Sequence, residues 1–111
     1  MDSNFENVWN NIKDQLKIGD VIKNWTPVNG YFGNDVLISS VNKDSITIQT
    51  KSAKHPQLLK KYEFNEIWEV WSSYISGEIK RNELGANRFH TTYIIDILHW
   101  YERKENEKKN G

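Results

Sequence analysis

The sequence predicts an α+β fold: an N-terminal helix, a three- or four-stranded antiparallel meander, then two or three C-terminal helices packed on the sheet. Three observations carry this expectation. Apolar residues recur at helical spacing at the start of the chain and again in its second half. Between about residues 20 and 50 the period drops to two. The connections between the candidate strands are too short for parallel crossovers, which leaves an antiparallel meander.

The elements follow in order. Phe5, Val8, Trp9, Ile12 and Leu16 mark one stripe of a first helix, with Ser3 and Glu6 spaced as a capping box and Gly19 placed to end it. Val21 to Trp25 reads as a strand ended by Pro27, and residues 27–34 as a turn-rich loop that carries Tyr31 and Phe32. Val36 to Val41 and Ser45 to Thr50 read as a hairpin about Asn42-Lys43-Asp44, with Ile46 and Ile48 alternating against Thr47 and Gln49. A short fourth strand is expected near Lys61-Tyr62-Glu63. The spacing of Phe64, Ile67, Trp68, Val70, Trp71, Tyr74 and Ile75 predicts one helix over 64–76, closed by Gly77. Residues 79–84 suggest a short further helix. A polar turn through Asn87-Arg88-Phe89-His90 then leads into a last helix from Thr91 or Thr92 to about Arg103. A single domain over 1–103 is expected, with 104–111 as a charged, frayed tail.

Composition narrows the function classes. The chain has 111 residues and no cysteine, which excludes disulfides and thiolate metal sites. Fifteen basic and fifteen acidic residues cancel, so nucleic-acid binding through bulk charge is not expected. Neither a signal peptide nor a membrane-spanning run is visible, and a cytoplasmic location with no membrane partner is the expectation. Asn, Lys and Ile are frequent and Ala, Gly and Pro scarce, a bias of AT-rich bacterial or phage genomes. Five Trp, five Tyr and four Phe are many for this length. Most are read as core, and a surplus as partner-facing.

Three readings of function compete. Catalysis finds little: no nucleophile elbow, phosphate-cradling loop, metal-ligand spacing or cofactor motif is present. The expectation is of no catalytic set, no metal and no cofactor. Asp96 and His99 alone raise the question. They belong to a narrow polar stripe, Thr92, Asp96, His99 and Arg103, on an otherwise broadly apolar last helix. The plainer expectation for them is a surface Asp–His pair flanked by Arg103.

Nucleic-acid binding is the second reading, directed at double-stranded DNA. Arg81, Asn87, Arg88, His90, Thr91 and Thr92 lie around a turn that enters a helix, where Arg and Asn suit base edges and Thr suits phosphate. The third reading is a protein-binding or self-associating module. Tyr31 and Phe32 at a loop tip, with Trp25 beside them, have the chemistry of interface anchors. Their alternative role is to fold back as a lid over the core.

A longer pattern joins the second reading. Phe64-x-x-Ile67-Trp68-x-x-Trp71-x-x-Tyr74-x-x-Gly77-x-Ile79-x-Arg81-x-Glu83-Leu84, followed by Thr92-Tyr93-Ile94-Ile95-x-Ile97-Leu98, resembles small tri-helical, winged-helix-like modules of bacterial restriction, phage and mobile-element proteins, including integron cassette products. The resemblance covers residues 64–101 and implies DNA contact. The leading expectation is therefore a small non-enzymatic DNA-binding or accessory protein, with the aromatic interaction module as the alternative.

Overall fold

The computed structural model describes residues 4–27, 30, 31, 33, 35–51, 54–84 and 88–110. The chain is α+β, as expected. The first helix, α1, spans Phe5–Gln15. Its cap is Asn4, whose side chain accepts the N–H of Glu6 at 2.9 Å; Ser3 lies outside the described residues. Val8, Trp9 and Ile12 are its buried face. The Trp9 ring packs against Phe64 at 5.2 Å and donates its indole N–H to the Lys43 carbonyl at 2.8 Å. One side chain thus ties α1 to both the sheet hairpin and the later helices.

Six short strands follow: β1 Val21–Ile22, β2 Trp25–Thr26, β3 Gly30–Tyr31, β4 Val36–Val41, β5 Ser45–Gln49 and β6 Gln57–Lys60. Four of them form one antiparallel sheet in the order β1-β4-β5-β6, and β2 and β3 form a separate two-stranded hairpin. Period-two alternation sends Ile22, Val36, Ile38, Ile46, Ile48 and Leu59 into the core and leaves Val21, Leu37 and Leu58 exposed on the outer face. A register shift between Ile38 and Ser40 lets Val41 rejoin the inner side opposite Ile46.

Two boundaries differ from the sequence reading. The strand expected over 21–25 is divided: Val21 and Ile22 pair with β4, whereas Trp25 and Thr26 pair with Tyr31 and Gly30. The fourth strand ends at Lys60, and Lys61-Tyr62-Glu63 form the first turn of a helix instead. There the Glu63 carboxylate accepts the Lys60 N–H at 2.8 Å, stopping the strand and starting the helix at one point.

The helix expected over 64–76 is also two elements, α2 Lys61–Glu69 and α3 Trp71–Ser76. Val70, at φ −114° and ψ 11°, breaks the ladder between them. Gly77 closes α3 in the left-handed conformation at φ +90°, as its position suggested. Arg81–Glu83 make a single 3₁₀ turn. The last helix, α4, runs from Arg88 to Asn110 and so includes most of the segment expected to fray. The Glu105 carboxylate accepts from Gln15 at 3.2 Å, and Lys108 pairs with Glu105 one turn away. Ile94, Ile95, Ile97, Leu98 and Tyr101 bury the middle of α4 against the sheet side of the core. No described helix is long and apolar enough to cross a membrane.

Candidate functional site

The polar stripe of α4 is largely covered: Asp96 is buried and Thr92 and His99 are half-buried, with only Arg103 exposed. Asp96, His99 and Arg103 meet the β2–β3 hairpin, and this brings together residues from two of the sequence readings. The hairpin sits there because Trp25 pairs with Tyr31 across it. Gly33 then holds a left-handed φ of +81°, where any other side chain would be strained and its Cβ would crowd Asn24 Nδ2 at 3.0 Å.

Asp96 is 1 % exposed. Its Oδ1 accepts the backbone N–H of Trp25 at 2.9 Å. Its Oδ2 is buried with no hydrogen-bond partner; among the described residues only Asn24 Oδ1 shares that condition. Burial pushes the Asp96 carboxyl up to about 8, against the lowering effects of the Trp25 N–H and the Arg81 charge, while Asp35 adds to the rise. The expected surface Asp–His pair is therefore corrected: the acid is a core residue, because Ile94, Ile95, Ile97 and Leu98 on either side bury the whole turn.

His99 lies one turn on. Its ring stacks on the Trp25 indole, with centroids 3.7 Å apart and planes 4° from parallel. Burial first, and the Arg103 charge second, lower its pKa to about 4, so the imidazole is neutral at pH 7. Arg103 Nη1 donates to the Tyr31 hydroxyl at 2.6 Å, and that hydroxyl lies 3.0 Å from His99 Nε2. The chain of bonds uses the Tyr31 proton when Nε2 accepts it, which places the imidazole proton on Nδ1. The Arg103 guanidinium also stands 5.7 Å from the Tyr31 ring centre. Tyr31, 48 % exposed, thus folds back onto α4 as a lid. Phe32 lies outside the described residues.

Beneath Tyr31 a cleft of about 240 Å³ opens between β1, β3 and α4, lined by Asp96 and His99 and, where side chains are exposed at its mouth, by Arg103, Lys23, Lys104 and Glu107. Two larger hollows, about 550 Å³ beside Leu58 and Tyr62 and about 670 Å³ beside Tyr74 and Ile75, are lined by neither residue that bears an unpartnered oxygen.

The DNA-contact set has a different disposition. Arg81 Nη2 donates to the Thr92 hydroxyl at 2.7 Å, clamping the 3₁₀ turn to α4. His90 Nδ1 is 2.8 Å from Glu63 Oε1, on a carboxylate only 4 % exposed. Thr91 is 1 % exposed, so its hydroxyl does not reach a phosphate, as had been expected of it. Its neighbours on the helix wheel carry it into the core. Asn87 and the side chain of Arg88 lie outside the described residues.

Sequence reasoning flagged Trp25, Tyr31, Asp96 and His99 but assigned them to separate readings. It missed Lys23, Lys104 and Glu107 altogether. The available signal was the stripe itself: polar residues set inside a wide apolar arc must meet another element rather than water. Comparison with protein families, characterised proteins and solved structures finds no match to the chain.

Proposed function

We propose that the chain is a binding module, and that the cleft beneath Tyr31 is its ligand site. One observation carries this reading: a buried carboxyl with an unpartnered oxygen lines the same concavity as a displaced-pKa histidine and an arginine. Convergent polar groups with perturbed titration in a cleft are the ordinary signature of a site. Recognition is favoured over catalysis because His99 Nε2 is already engaged by the Tyr31 phenol, which Arg103 also holds, and among the described residues no serine or threonine hydroxyl bonds the ring. Tyr31 is read as the lid of this cleft, with Trp25 stacked on His99 as support for its wall. A bacterial or phage setting rests on the composition bias and on the resemblance of residues 64–101 to mobile-element modules.

Ligand-observed NMR with a mixed-charge fragment set tests the reading. Fragments that bind the wild-type protein and are lost on Tyr31→Ala are the expected result. Fragments bound equally by both proteins would place recognition elsewhere. Fluorescence anisotropy with labelled duplex DNA belongs beside it. Micromolar binding that weakens steeply with salt would favour the nucleic-acid reading instead.

A further inference from the structure

We propose that the cleft takes a small organic anion, a carboxylate or phosphate monoester, held at the mouth by Arg103, Lys23 and Lys104 and met at the inner end by the carboxyl of Asp96. This deepens the ligand-site reading and rests on it. The charge pattern sets the class. Three cationic side chains line the cleft against one mouth carboxylate, Glu107. Glu107 is a loose partner, 4.0 Å from the Arg103 guanidinium, and Lys23 and Lys104 make no ion pair among the described residues. Arg103 spends one nitrogen on Tyr31 and has donors left over; its planar fork suits carboxylate and phosphate oxygens.

The inner end is consistent with the same ligand. A buried ionised carboxylate would repel an anion. With its pKa raised to about 8, however, Asp96 is protonated at neutral pH, and its unpartnered Oδ2 can then donate a hydrogen bond. The charged and titratable groups around it are Arg81 and Tyr74 from the 3₁₀ turn and α3, Asp35 from the chain entering β4, and His99 and Arg103 on its own helix. A volume of about 240 Å³ limits the ligand to a compound smaller than a drug-sized molecule. Ligand charge beside Arg103 would also offset the smaller of the two effects that lower the His99 pKa, so binding should raise that pKa while burial still holds it low.

The test is NMR titration of the full chain at pH 6 with inorganic phosphate, with succinate and, as the opposite charge, with ethylammonium, at constant ionic strength so that general screening does not change. Saturable shifts of the His99 ring and Trp25 indole signals with phosphate or succinate are expected. Arg103→Gln should weaken binding roughly tenfold or more. Asp96→Asn keeps a neutral donor and should bind at pH 9, where the wild-type protein should have lost affinity.

Saturation by ethylammonium but not by the anions would overturn the inference and leave the ligand site standing. Shifts that are unsaturated, or unchanged in Arg103→Gln, would overturn it as well. If neither charge class binds while the fragment set still finds Tyr31-dependent ligands, the anion assignment alone fails. If the fragment set is also silent, both fail.

Discussion

Asp96 and His99 sit three positions apart on α4 and titrate in opposite directions. In the unfolded chain Asp96 ionises near 3.8, and in the folded protein near about 8. Between those values the folded state holds the extra proton, so its contribution to stability is full below 3.8 and is lost as the pH rises through about 8. His99 binds a proton near 6.5 when unfolded and only near about 4 when folded. Its contribution is full above 6.5 and is lost as the pH falls to about 4. From pH 4 to 6.5 the two slopes cancel, and above 6.5 that of Asp96 stands alone. Stability should therefore fall between pH 6.5 and 8, at up to about 1.4 kcal/mol per pH unit. Asp96→Asn preserves the acceptor for the Trp25 N–H and removes the charge. It should abolish that fall and uncover a rise between pH 4 and 6.5. Denaturant midpoints across the pH series measure both, and a variant that keeps the alkaline fall would assign it to another group.

Helix existence was legible throughout, because the apolar stripes of α1, α2–α3 and α4 are long and regular. What escaped were the boundaries decided by single distant contacts. Gln57–Lys60 contributes one buried residue, Leu59, too little alternation to read, and it becomes a strand only by pairing with β5. The segment 104–110 has no apolar stripe, yet it continues α4. It is anchored by Glu105 on Gln15 and, one turn earlier, by Glu102, whose carboxylate accepts the Trp71 indole N–H at 2.6 Å. Glu102→Ala should cost about 2 kcal/mol, since it leaves a part-buried indole donor without a charged acceptor. Glu105→Ala, on a more exposed pair, should cost less than about 1 kcal/mol. Thermal unfolding of the two variants checks the ranking, and equal losses would refute it. The candidate site was legible residue by residue but not as a site, because Tyr31 and His99 meet across 68 positions of sequence. Only the hairpin's independence from the main sheet brings them together.

The molecule as a whole has its helices on one face of a four-stranded sheet and a radius of gyration of 13.2 Å, about the value for one close-packed core of this length. Stability within it is unequal. β4, β5 and the buried run Ile94–Leu98 share the densest packing, while the β2–β3 hairpin has two residues in each strand. Native-state hydrogen exchange should find the slowest amides in β4, β5 and mid-α4 and much faster exchange at Tyr31 and Thr26. Such a gradient would put the lid of the cleft at the low-stability end of the protein, where a segment that admits a ligand has to be. Uniform protection would instead describe a closed, purely structural hairpin. The zero formal charge adds that any electrostatic recognition must be local, as the proposal for the mouth of the cleft requires.

Lys60 and Lys61 splice β6 to α2 with no connector between them. A strand turns its side chains by about 180° per residue and a helix by about 100°, so the splice fixes the phase of both. One inserted residue would either turn Leu59 out of the core or swing Phe64 and Glu63 about 100° away from Trp9 and His90. The hairpin tip at Asn42-Lys43-Asp44 has no such phase to keep, apart from the Lys43 and Asp44 carbonyls that receive Trp9 and Lys61. Descendants of this sequence should therefore vary in length at the tip between β4 and β5 before they do so at the point where strand becomes helix.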